Sequence, residues 1–317
     1  GPAGRRPGAH AVRYEAMTAA VATDRREETP SPAPPSPAQL AAEYGLRPTH
    51  ERAPLGLYLR QLWERRHFIV AFATARSQVA YSNARLGQLW QVLTPLLNAA
   101  VYYLIFGLLL HTSRGVSNFI GFLTVGIFIF NYTQRSVLTG SRAISGNLDL
   151  IRALHFPRAT LPIAMTLEEL ERLGFSLLVM AVIVLATGEP LTWAWLSVLP
   201  VIVLQTLFNV GASFAMARAG AQVSDVSQVL PFVLRTWLYL SGVFYSISHF
   251  AGGAHPRIEH LMQMNPAAVY IELTRNALLT GQTLTPHAWW YAVGWAVVAL
   301  VGGFWFFYRA ESAYGRG

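Results

Sequence analysis

From residue 88 to the end, 230 residues carry only 12 arginines and 9 acids, and the apolar residues between them fall into long stretches. Soluble domains carry roughly a quarter charged residues. This chain has 13% charged and 53% hydrophobic residues, too few charges to coat a water-facing surface. A bilayer core of ~30 Å needs about 20 helical residues, so the expected fold is an all-α polytopic membrane protein. Six spans are expected, at 88–110, 118–138, 161–187, 194–217, 227–247 and 288–308. In the third, the uncharged part from Leu173 to Thr187 covers only about 22 Å at 1.5 Å per residue. That helix must start earlier and carry Glu168, Glu169, Glu171 and Arg172 into the membrane.

The rest of the chain is different in kind. Residues 1–54 hold 9 of the 18 prolines and 13 of the 40 charged residues, and Thr29 to Pro37 has the composition of an extended linker. The expected organisation is a disordered tail at 1–54, an amphipathic interface region at 55–87 and a six-span domain at 88–317. The first long apolar run begins only near Leu86, so no cleavable signal peptide is expected. Net charge is +8, with +1 in the tail, +4 in 55–87 and +3 beyond.

Absent residue types exclude whole chemistries. All 24 basic residues are arginine. Without lysine this chain cannot build a P-loop or carry a Schiff-base cofactor. Without cysteine it has no disulfide, thiolate metal site or thiol nucleophile. The nine histidines never form HxxxH or HExxH. His249, His255 and His260 share one loop at spacings that suit interfacial solvation better than metal ligation.

Leu55, Tyr58, Leu59, Leu62 and Trp63 recur at helical spacing, so 55–79 is expected as one amphipathic helix with Arg60, Arg65, Arg66 and Arg76 on its cationic side. It suits either the headgroup plane or the surface of the domain. Arginines counted over short loops place both termini in the cytoplasm: twelve fall inside, and Arg114, Arg257 and Arg275 outside. Between the fifth and sixth spans, Asn265-Pro266 has the form of a helix start. Ala267 to Leu279 would then be a short re-entrant helix, packed on protein or lining a cavity.

Two polar groupings stand out. Glu168, Glu171 and Arg172 share one face of the third span, with Arg135 and Arg235 as expected partners. Such buried ions either line a hydrophilic path or clamp helices together. Asn147 to Leu154, stopped by Phe156-Pro157, forms a short loop helix with Leu148, Ile151 and Leu154 along one side, flanked by Arg152 and Arg158. That side suits either docking into a partner's groove or lying among headgroups.

Ser82-Asn83-Ala84-Arg85-Leu86-Gly87-Gln88-Leu89-Trp90, followed by Leu93-Thr94-Pro95-Leu96-Leu97, resembles the S-x-L-G-x-L-W…P-L-L lead-in to the first span of type-2 ABC exporter permeases. Ala84-Arg85 departs from that pattern, which has a small or aliphatic residue before Leu-Gly. Asn147-Leu148, Leu150-Ile151, Phe156-Pro157-Arg158 and Leu161-Pro162 are similar to that family's first cytoplasmic loop. Asn265-Pro266, Glu272 and Arg275 are similar to its last outer loop. The resemblance covers roughly 55–317 and is nearest to the Wzm-type branch, which exports O-antigens, teichoic acids and galactans.

It implies a permease without catalytic residues or a cofactor of its own, in the bacterial cytoplasmic membrane. Two copies would work with two copies of a separate ATPase that binds ATP and Mg. The cargo implied is a polyprenyl-diphosphate-linked polysaccharide; membrane lipids are the other partners, and no nucleic acid is implied. Asn147, Leu148, Leu150, Ile151, Leu154, Phe156, Pro157 and Arg158 would form the loop that couples to the ATPase. Arg60, Arg65, Arg66, Arg76 and Arg85 would meet the diphosphate, whose geometry guanidinium groups suit. Asn265, Pro266, Tyr270, Glu272 and Arg275 would shape the exit. Tyr102, Tyr103 and Tyr291 could stack on sugars, whereas Trp289 and Trp290 suit membrane anchors. The alternatives are a permease for drugs or small lipids, and a channel or scaffold with no ATPase.

Overall fold

Helices account for every regular element in the computed structural model, which describes Ser36 and residues 54–82, 89–109, 118–154, 156–247, 256–282, 284–311 and 314. The chain divides into two units, Gly1–Glu51 and Arg52–Gly317, and all elements named here belong to the second. Except for Ser36 and Pro54, the expected tail at 1–54 lies outside the described residues.

The expected interface helix is two helices, α1 (Leu55–Glu64) and α2 (Arg66–Ser82), separated at Arg65. The break splits the stripe. Tyr58 is buried, whereas Trp63 is 70% exposed. Next come α3 (Leu89–Tyr102), which contains Pro95, and a π-helical stretch, Tyr103–Leu109. Proline removes an internal hydrogen bond, and wider turns accommodate such a lesion. α4 (Phe119–Ser141) starts where the Asn118 side chain accepts from the Gly121 amide at 2.9 Å, a side-chain cap on an otherwise open helix end.

The loop helix α5 (Leu148–Ala153) leads to α6 (Thr160–Ala186). α6 starts thirteen residues before Leu173, so the four charged positions are helical, as the length argument requires. A 3₁₀ turn, Trp193–Ser197, opens α7 (Val198–Gln222). α8 (Val226–Leu240) is shorter than the stretch 227–247, because the backbone turns at Gly242 with φ +64°, a conformation glycine adopts without penalty. α9 (Pro256–Gln263), α10 (Pro266–Leu278) and α11 (Ala288–Tyr308) complete the chain. Asn265 caps α10 by accepting from the Ala267 amide at 3.1 Å, with Pro266 in its first turn.

Among the described residues, two helical stretches are long and apolar enough to cross a membrane, Trp193–Gln222 and Ala288–Tyr308. They are also the most intimate pair. A Cβ on Gly211 would overlap the Ala299 carbonyl, and one on Gly303 would overlap the Gly211 carbonyl. Lipid tails are as apolar as leucine, so close backbone approach and interhelical hydrogen bonds, rather than expulsion from water, hold such helices together. Gln205 of α7 donates to the Ile129 carbonyl of α4 at 2.8 Å and to the Thr133 hydroxyl at 3.0 Å. Ser213 donates to the Ser136 carbonyl at 3.0 Å. The main core gathers Phe122, Phe128, Phe130 and Tyr270. A second core, around Tyr58, Ile151, Phe214 and Phe307, sits under the loop helix.

Candidate functional site

Three segments far apart in sequence meet beneath the loop helix. The Tyr58 hydroxyl of α1 donates to Oε2 of Glu311 at 2.9 Å and accepts from the Ala159 amide at 3.1 Å. The Arg158 amide donates to Oε1 of Glu311 at 3.0 Å, and its guanidinium donates to the Glu311 carbonyl. Phe304 and Tyr308 of α11 pack around the Tyr58 ring. The loop is thus bolted to α1 and to the end of α11. Burial raises the Glu311 carboxyl above its ordinary value, against the lowering pull of the Arg158 amide, the Tyr58 hydroxyl and the Arg158 charge. Burial likewise pushes the Tyr58 hydroxyl up. The motifs did not point to this node; its signals were a phenol in a stripe otherwise of leucine and tryptophan, and a single acid just past the last apolar run.

The node sets which side of α5 looks outward. The expected docking side was Leu148, Ile151 and Leu154, but Ile151 is 8% exposed and packs into the second core. Leu148, Leu150 and Phe156 pack partly against the same core, Pro157 is buried, and Asn147 donates back to the Ala143 carbonyl at 2.9 Å. The outward residues are Asp149, Arg152, Ala153 and Leu154.

The charged face of α6 is built differently from its expected pairing. Glu168 accepts from Arg76 of α2 at 2.9 Å and from Arg172 at 2.6 Å, while Arg172 also reaches Glu169 at 3.1 Å. Thr74 donates to Glu171 at 2.7 Å. The partner in trans is therefore Arg76, expected instead among the headgroup arginines. Arg235 lies on the exposed side of α8, and Arg135 makes no ion pair within 4 Å among the described residues. Arg135 does border, with Glu169, Arg172, Asn131 and Trp90, a cavity of about 30 Å3, room for one water. The geometry is that of a clamp joining α2 to α6, with a small polar-lined space beside it.

Of the other headgroup arginines, Arg65 and Arg66 are exposed at the α1–α2 break, and Arg66 lies 5.3 Å over the Trp63 ring. Arg60 pairs with Glu64 at 3.0 Å on the open surface. Arg85 lies outside the described residues.

The expected exit residues split the same way. Arg275 is buried and bonds three carbonyls: it donates to those of Phe122 at 3.1 Å, Gly242 at 2.9 Å and Val243 at 2.8 Å, with its guanidinium 3.3 Å over the Phe122 ring. It pins the turn after α8 to α4. Tyr270 is fully buried and donates to the Ala292 carbonyl at 2.9 Å. Asn265 accepts from the Trp237 indole at 2.8 Å. Glu272 accepts from the Thr285 amide and, at 2.6 Å, from its hydroxyl. Glu272 and the edge of Arg275 line a cavity of about 270 Å3 with Gln263 and Gln282.

Among the described residues, these contacts hold helices and loops to one another. The chain is similar to an O-antigen export system permease protein RfbA of Myxococcus xanthus, 27% identical over 190 residues, which cover 60% of this chain and 72% of that protein. It is also similar to two permeases of the same description from Klebsiella pneumoniae, 23% and 22% identical over 214 residues, covering 67% of this chain and 80% of each. Residues 68–279 match the ABC-2 type transporter family, a family of transport subunits. With two thirds of its length inside that match, this integral membrane chain belongs to the ABC-2 type transporter family.

Proposed function

We propose that this chain is the membrane subunit of an exporter of a lipid-linked polysaccharide, driven by ATP hydrolysed on a separate chain. The observation that carries the reading is its similarity to three O-antigen export permeases across 72–80% of their length. The geometry is consistent with it. A short helix held rigidly to both α1 and α11 is what a force-transmitting contact needs, since a loose loop would absorb the motion. In this reading two copies pair with two ATPase subunits, which bind ATP and Mg, and the outward residues Asp149, Arg152 and Leu154 touch the ATPase. Six spans put both termini in the cytoplasm, and α3, α4, α6 and α8 join the two long apolar helices in crossing the bilayer. Arg65 and Arg66 meet the diphosphate at the membrane surface.

The test is co-expression with an ATPase subunit encoded beside it, reconstitution into nanodiscs, and measurement of hydrolysis against added polyprenyl-diphosphate glycan. Stoichiometric co-purification and glycolipid-stimulated turnover are expected. A chain that purifies alone, or whose ATPase ignores glycolipid while responding to small amphiphiles, overturns the reading.

A further inference from the structure

An open cleft of about 720 Å3 separates α1 from the α7–α11 pair. Its lining is apolar throughout: Leu55, Leu59 and Leu62 on one wall, Phe214 at its base, Val301 and Trp305 on the other. Tyr58 is the spacer that creates it. Its ring seats against Phe304 and Tyr308 and its hydroxyl is fixed by Glu311, so α1 stands at a set distance from α11. Leu55 and Leu59 remain 40% and 44% exposed as a result, facing Val301 at 62% and Trp305 at 49%.

A cleft of this kind is costly left empty, because its walls lose dispersion partners, and it is too apolar to hold ordered water. α7 and α11 form two of its sides and, among the described residues, are both long and apolar enough to cross a membrane. What reaches it is therefore bilayer. The cleft is also more than outer lipid surface, since α1 encloses it from a third side. Two arginines lie beside its α11 wall. The Arg309 guanidinium lies 4.9 Å over the Trp305 ring, one turn past the cleft wall, and Arg218 lies 4.1 Å over Phe306 while donating to its carbonyl at 2.5 Å. The acid at this end of α11, Glu311, is committed to Tyr58 and Arg158.

We propose that the cleft binds one acyl chain of an anionic phospholipid, whose phosphate is held at Arg309. The lipid is a resident one, completing the packing of α1 against α11, and the site is independent of whichever cargo the chain exports.

The probes are phosphatidylglycerol and phosphatidylcholine. The full chain is taken from nanodiscs holding the two in equal amounts and examined by native mass spectrometry. One retained phosphatidylglycerol per chain is expected. Leu59→Trp, which fills the cleft from a half-exposed position, should abolish retention, and Leu55→Trp one turn earlier should do the same by a different side chain. Leu199→Trp, at the far end of α7, should leave it intact. Arg309→Gln should keep a bound lipid but lower the phosphatidylglycerol preference roughly tenfold, the loss of one charge-assisted contact. Equal retention of both lipids by the unaltered chain overturns the proposal, as does wild-type retention by both cleft-filling variants. Displacement of phosphatidylglycerol by added undecaprenyl phosphate would assign the cleft to the cargo's chain. A lipid-free dimer disrupted by Leu59→Trp would assign it to a second copy.

Discussion

The Tyr58 hydroxyl donates to the Glu311 carboxylate at 2.9 Å, across 253 positions of sequence. Tyr58→Phe removes that donor and also strips the Ala159 amide of its acceptor. A buried polar group left unsatisfied costs about 1–3 kcal/mol, so the variant should unfold at lower temperature in detergent. Combined with Glu311→Ala, the loss should fall short of the sum of the two single effects by more than ~0.5 kcal/mol. An unchanged midpoint in Tyr58→Phe would remove the node as a stabilising element.

Two carboxyls outside the helices should give stability opposite pH dependences. Glu311 is raised above the ordinary 4.5, so its contribution is complete below that value and lost as pH rises through the raised one. At Glu189, burial alone would raise the pKa, yet bonds from the Thr280 amide at 2.8 Å and the Asn118 amide at 3.1 Å outweigh it and the net shift is down. Its contribution is present above 4.5 and lost as pH falls through the lowered value. Melting curves across pH should therefore lose their acid-side slope in Glu189→Gln and flatten on the other side of 4.5 in Glu311→Gln. Identical profiles in both variants would contradict the opposed shifts.

In the α2–α6 clamp, Glu168→Gln should be the most damaging single change, because it releases Arg76 and takes from Arg172 one of its two carboxylates, leaving Glu169 at 3.1 Å. Breaking a buried pair outright costs about 3–5 kcal/mol, and the retained Glu169 contact should keep the loss below that. The Arg76 half should contribute less, since that side chain is 39% exposed and solvent screens it. Double-mutant cycles should show coupling of Glu168 to Arg76 and to Arg172. Arg235→Gln should add to Glu168→Gln within ~0.3–0.5 kcal/mol; coupling there instead would restore the pairing across α8.

On the loop helix, the two sides should fail in different ways. Ile151→Asp puts a carboxylate into the second core and should lower the amount of folded chain. Arg152→Glu with Leu154→Asp alters only the outward side and should leave the melting point within about 0.5 kcal/mol of unaltered stability. The same pair should reduce ATPase co-purification at least several-fold. Normal co-purification by that double variant would place the docking surface elsewhere.

Much of this architecture was legible before any coordinate. The start of α10 followed from Asn265-Pro266, because capping is local chemistry with a local signature. The early start of α6 followed from length arithmetic alone. What escaped was orientation and partnership. A six-residue helix such as α5 shows an apolar side but not whether that side faces in or out. Arg76 looked like any surface arginine, because its acid lies 92 positions away on another helix. Tyr270, expected at the exit, is fully buried against the Ala292 carbonyl, and Arg275 shows a cavity only its edge while its donors serve backbone carbonyls. Polar residue types at a turn say that bonds are needed, not whether carbonyls nearby already supply them.

The paired glycines of α7 and α11 have a mechanical meaning. With Gly211 and Gly303 set backbone against backbone, a Cβ on either would collide with the facing helix, so the pair packs at backbone distance. The irregular joints among the described residues lie elsewhere: the π-helical stretch after α3, Pro231 within α8, and the Gly242 turn that Arg275 grips. In the proposed exporter, a passage would open by motion of those joints against this close-packed pair, whose contact depends on the absence of side chains at two positions.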